Sequence, residues 1–116
     1  MIEEWIRDIK KQFSKDLLGM ILIHNGVVRA TSRDGKVVKG MRLSYSFQKL
    51  KEVLEDIRRR PGIVDVRVWI NEGELKVGDD IMKVLIAGRL RTDVFPAMEE
   101  LVGRIKNEVV YEEEIY

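Results

Sequence analysis

The sequence predicts an α+β domain with the element order α-β-β-α-β-β-α. Two observations carry that prediction. Apolar residues recur at helical spacing in three separated segments. Between them lie short runs that are continuously apolar or alternate with period two, as strands do. Helices and strands that interleave this way bury their apolar faces in one shared core. No composition shift, repeat or linker divides the chain, so residues 1–116 read as a single domain.

The first helix is read from Ile2, Trp5, Ile6, Ile9 and Phe13, with charged residues filling the gaps. The run from Leu17 to Ile23 then reads as a strand buried on both faces. Asp34-Gly35 supplies turn chemistry, and Val37, Val38, Met41, Leu43 and Tyr45 follow as a second strand. The two strands are expected to form a hairpin. Phe47, Leu50, Val53, Leu54 and Ile57 mark the second helix, stopped by Pro61-Gly62. Ile63, Val64, Val66, Val68 and Ile70 form a third strand. Residues 71–80 read as a loop bounded by Gly73 and Gly78, and residues 81–87 as a strongly apolar fourth strand. Val94, Phe95, Met98, Leu101, Val102 and Ile105 share one face of a third helix. A short final strand near Val109 to Tyr111 and an acidic tail complete the chain.

Composition excludes several functions. Lys and Arg number 21 and Asp and Glu 20, so the formal charge is only +1 and the chain is no generic polyanion binder. The run Arg58-Arg59-Arg60 is interleaved upstream with Glu52, Glu55 and Asp56 and reads as a solvated helix face rather than a nucleic-acid site. Cysteine is absent, which removes disulfides, thiolate nucleophiles and cysteine metal sites. His24 is the single histidine, so no multi-histidine metal site exists. Neither metal nor cofactor is implied. No apolar run approaches the roughly 20 residues that span a bilayer, and the acidic start is unlike a signal peptide. The expectation is a cytoplasmic protein without membrane contact. Its charged share of 35%, balanced in sign, is also a composition favoured at high growth temperature.

Several stretches together resemble the large, catalytic subunit of molybdopterin synthase. Gly19 to Arg29 resembles that family's opening strand, typically G-A-x-x-x-F-x-G-x-V-R-N-H. Gly73-Glu74-Leu75-Lys76-Val77-Gly78-Asp79 fits its G-x-L-x-x-G-[DE] loop. Leu90-Arg91-Thr92-Asp93-Val94-Phe95 resembles H-R-x-x-A-F at a helix start, and Lys106 follows Phe95 by eleven residues, as the family's helix-ending lysine does. The resemblance is collinear over roughly residues 17–112.

It implies an α/β hammerhead-type fold and a homodimer. It also implies a small ubiquitin-like sulfur-carrier subunit whose C-terminal thiocarboxylate donates sulfur to a cyclic pyranopterin precursor. Arg29 and Arg91 then match residues that hold the pterin phosphate, and Lys106 a catalytic lysine. Arginine suits phosphate through its planar fork, and lysine can serve as a point charge or proton donor.

The sequence also departs from the pattern. Asn-His after the first arginine is Ala30-Thr31, and the histidine before the second arginine is Leu90. The phenylalanine before the first glycine is His24, which reads as a hydrogen-bonded structural residue. The family's second lysine, in W-K-[KR]-E, falls in the region Val110 to Glu113, and no lysine follows Lys106. Two functions are therefore open: a working synthase subunit that relies on Arg29, Arg91 and Lys106, or a non-catalytic paralogue that keeps the fold and dimer as a binding or regulatory module.

Overall fold

The computed structural model describes residues 1–116. Three helices are present, α1 (Ile2–Gln12), α2 (Phe47–Arg58) and α3 (Arg91–Arg104). Six strands accompany them: β1 (Met20–Val27), β2 (Gly40–Tyr45), β3 (Ile63–Ile70), β4 (Gly73–Lys76), β5 (Asp80–Gly88) and β6 (Val110–Ile115). One π-helical turn, Ile105–Val109, joins α3 to β6. This is the α+β arrangement that the apolar periodicities predict.

The strands form two three-stranded antiparallel sheets, β1-β5-β3 and β4-β2-β6. β5 is central in the first, and the stretch Val84 to Ala87 is fully buried. It is buried because both faces of that sheet are covered. On one face Leu85 and Ala87 pack with Ile9 of α1. On the other, Val84 and Ile86 join the main core with Val53 and Ile57 of α2 and Val94 and Leu101 of α3. Ser46 caps α2, its hydroxyl accepting from the Lys49 amide at 3.2 Å. Gly62 is needed where it stands. Its φ is +81°, and a Cβ there would lie 2.2 Å from the Asp93 carboxylate in the first turn of α3.

Four expectations are corrected. β1 is an edge strand, half-buried along its length, and the strand covered on both faces is β5. β1 and β2 do not form a hairpin. The turn at Ser32–Gly35 exists, with Gly35 at φ +86° and a bridge between Thr31 and Val37. The chain entering that turn belongs to one sheet and the chain leaving it to the other. Residues 71–80 are not all loop, because Gly73–Lys76 pair with β2 and Leu75 enters the core. The acidic C-terminal segment is strand β6, with Glu112, Glu113 and Glu114 opposite Leu43, Arg42 and Met41. β6 is an edge strand whose residues 111–113 are exposed, so glutamates on both of its faces stay solvated while the backbone pairs with β2.

Candidate cation cleft

Arg29 stands just past the end of β1, and a turn fixes that end. The Val28 amide donates to the Asp79 carbonyl and the Gly78 amide donates to the Val28 carbonyl, both at 2.9 Å. The turn itself is closed by the Lys76 amide donating to the Asp79 carboxylate at 2.8 Å, with Gly78 at φ +93°. The glycine-bounded motif at 73–79 thus serves two structural ends, seating Leu75 in the core and clasping the strand that presents Arg29.

Lys106 approaches from the opposite direction. α3 runs back along the first sheet, and the π-turn after it carries Lys106 outward while Ile105 and Val109 are fully buried. Arg29 and Lys106 meet in an open cleft of about 630 Å³ between the two sheets. His24, Arg33, Glu112 and Glu114 also line it. Lys106 Nζ lies 3.8 Å from Glu112 Oε1, whereas Arg29 and Arg33 have no carboxylate within ion-pair distance. The cleft therefore offers two unpaired guanidinium groups and one lysine shared with a carboxylate, a site suited to an anionic ligand.

His24 lines this cleft, and its ring makes no hydrogen bond to another protein group, so the expected hydrogen-bonded setting is corrected. Burial lowers its pKa, and the positive charge of Lys106 lowers it further. Both effects favour the neutral imidazole beside the lysine.

Arg91 is not in the cleft. It is the first residue of α3, exposed to solvent, next to the end of β5 where Gly88 pairs with Met20. Lys106 lies beyond the other end of the same helix, so the two are separated by roughly 20 Å at the usual helical rise. Arg33 was not expected at the site. The only clue was its place in the Asp34-Gly35 turn, and the fold of that turn over the cleft is a tertiary fact. A shallower depression of about 500 Å³ on the second sheet includes Arg42, but that guanidinium is already flanked by Glu74 and Glu113.

Solved structures share this architecture. Molybdopterin synthase from Staphylococcus aureus superposes with a TM-score of 0.77 at 20% identity, covering 96% of this chain and 83% of that one. A protein–protein complex of subunits 1 and 2 of molybdopterin-converting factor from Helicobacter pylori gives 0.69 at 15% identity, covering 99% and 82%. The fold is that of a molybdopterin synthase subunit. In sequence, the chain is 33% identical over 100 residues to the molybdopterin synthase catalytic subunit of Pyrococcus abyssi, spanning 83% of this chain and 67% of that protein. It is 30% identical over 109 residues to an uncharacterised protein of Methanocaldococcus jannaschii, spanning 90% and 87%. The family model described as MoaE protein matches residues 3–108. The chain belongs to the MoaE family.

Proposed function

We propose that this chain is the large subunit of a molybdopterin synthase. It takes sulfur from the C-terminal thiocarboxylate of a small ubiquitin-like carrier and passes it to a cyclic pyranopterin phosphate. The observation that carries this reading is the convergence of Arg29 and Lys106, from distant parts of the chain, in one open cleft. Both ligands of the reaction are anionic. The fork of Arg29 matches a phosphate, and Arg33, in the Ser32–Gly35 turn, adds a second cation to the lining of the same cleft. In this reading Lys106 meets the thiocarboxylate or gives a proton to a leaving oxygen. Neutral His24 can accept or donate a hydrogen bond beside it.

Arg91 enters this reading only through a homodimer. At roughly 20 Å from Lys106 within one chain, it reaches the bound phosphate only when a second copy places its α3 start against the first copy's cleft. Incubation of the purified protein with thiocarboxylated carrier and precursor tests the activity. Formation of the dithiolene is expected, and no product with several cognate carriers overturns the catalytic reading.

One observation favours the second reading, a non-catalytic paralogue. Glu112, in the segment where the family pattern has a lysine, pairs with Lys106 at 3.8 Å. A carboxylate there opposes an incoming anion. This reading predicts carrier binding without turnover.

A further inference from the structure

Lys106 does not ride on a regular helix. α3 ends at Arg104, and the next five residues form a π-turn closed by the Val110 amide donating to the Ile105 carbonyl. π-helical segments are rare, occur mostly as single turns and are frequent at functional sites. The inner side of this one is pinned by Ile105 and Val109, both fully buried. Its outer side, Lys106 to Glu108, is exposed.

The outer side is held by Arg104. Its Nε donates to Glu108 Oε2 at 2.9 Å, and one terminal nitrogen donates to Glu108 Oε1 at 3.3 Å. The other terminal nitrogen donates to Asp56 Oδ2 on α2 at 2.9 Å. These bonds hold the carboxyls of both Asp56 and Glu108 below their ordinary pKa. One guanidinium therefore spans the π-turn and ties it to a neighbouring helix.

We propose that Arg104 is a positioning residue for Lys106. Its two-pronged grip on Glu108 sets the outer side of the π-turn, and its bond to Asp56 sets that side relative to the core. Together they fix where the Lys106 ammonium stands in the cleft. A lysine at 104 keeps the charge but lacks the planar fork that engages both carboxylates at once. Half-exposed ion pairs of this kind contribute little to global stability, so geometry at Lys106, and not melting, is the property that should respond. The inference rests on the reading of Lys106 as a site cation, and its test does not depend on turnover.

His24 provides the test, because it is the one histidine of the chain and lies in the same cleft as Lys106. The other charged groups lining that cleft are Arg29, Arg33, Glu112 and Glu114. Proton NMR titration of His24 is measured in the wild type, R104K, K106M and the double variant R104K/K106M. K106M is expected to raise the His24 pKa by removing the nearby charge. R104K is expected to raise it part of the way, with a melting temperature close to wild type. In the K106M background R104K is expected to add nothing, since Arg104 acts through the lysine.

An unmoved His24 in R104K overturns the proposal. So does an equal R104K shift with and without Lys106, or an unmoved His24 in K106M. Where dithiolene formation is measurable, R104K lowers kcat with little change in KM. If the wild type forms no product, the functional reading fails while the His24 cycle still decides the positioning role.

Discussion

The ammonium nitrogen of Lys106, on the π-turn after α3, lies 3.8 Å from a carboxylate oxygen of Glu112 on β6. Both side chains keep contact with solvent, at 48% and 27% exposure, so the pair contributes under about 1 kcal/mol to stability. Its effect on ligands is larger in consequence, because it shares the lysine with an internal anion. E112Q is expected to leave the melting temperature nearly unchanged. It should tighten inorganic phosphate in the cleft by about two- to five-fold at low salt, an effect that fades as ionic strength rises. Calorimetric titration checks this, and equal phosphate affinity in the two proteins would refute competition by Glu112.

E112K separates the two functional readings. If the wild type is catalytic, it forms dithiolene without help and the substitution changes the rate modestly. If the site is non-catalytic, only E112K forms product. Single-turnover assays with thiocarboxylated carrier distinguish these outcomes.

The imidazole of His24 is held below its ordinary pKa of 6.5, first by burial and then by the charge of Lys106. Unfolding lets it bind a proton more readily. The folded state thus has its full share of stability above about pH 6.5, where the ring is neutral folded and unfolded alike. That share is lost as pH falls from there through the folded pKa. Urea unfolding between about pH 7 and 5.5 is expected to show a declining midpoint. H24Q should flatten that decline, and an unaltered slope in H24Q would assign it to other groups.

Gly78 and Gly103 give a paired backbone test. Both have open space where a Cβ would stand, but Gly78 has φ +93° while Gly103 lies within α3. Gly78→Ala should cost about 1–2 kcal/mol through the left-handed conformation alone. It should also loosen the clasp on Val28 that places Arg29. Gly103→Ala should stabilise by about 0.5–1 kcal/mol through helix propensity. Chemical denaturation reads both, and equal effects would contradict the conformational account.

Arg29 and Arg91 test the proposed dimer by complementation. R29A and R91A are each expected to be inactive as homodimers. Mixed and reassociated, they should recover about a quarter of the wild-type activity, because one of the two sites in each mixed two-fold dimer keeps both arginines. No recovery on mixing would place both arginines in the same chain's site or leave Arg91 outside it.

Much of the fold was legible because each helix or strand advertises its own period. Ile9 among charged neighbours, Leu50-Val53-Ile57 and the run Val84 to Ala87 each mark the buried face of a segment, and the structure buries all of them. The family motifs likewise marked Arg29 and Lys106, which the fold brings together. What stayed hidden was pairing. The apolar residues of β1 and β2 mark each as a strand, but not that β1 joins β5 while β2 joins β4 and β6. The turn between them looked like a hairpin turn because turn chemistry is local, whereas the choice of partner strand is made by whole-sheet burial.

By itself the sequence determined an α+β chain, its family pattern, a near-neutral total charge and the cations available to a site. Only the tertiary structure decided which of those cations are free to act. It paired Lys106 with Glu112, left Arg29 and Arg33 without carboxylate partners, turned His24 into the cleft and set Arg91 at the far end of α3. The physical reason is that Coulomb energy depends on separation in space. Six residues of sequence part Lys106 from Glu112, yet a π-turn and the entry into β6 bring them to 3.8 Å. Arg91 and Lys106 are fifteen positions apart in sequence, and the length of α3 between them sets them roughly 20 Å apart.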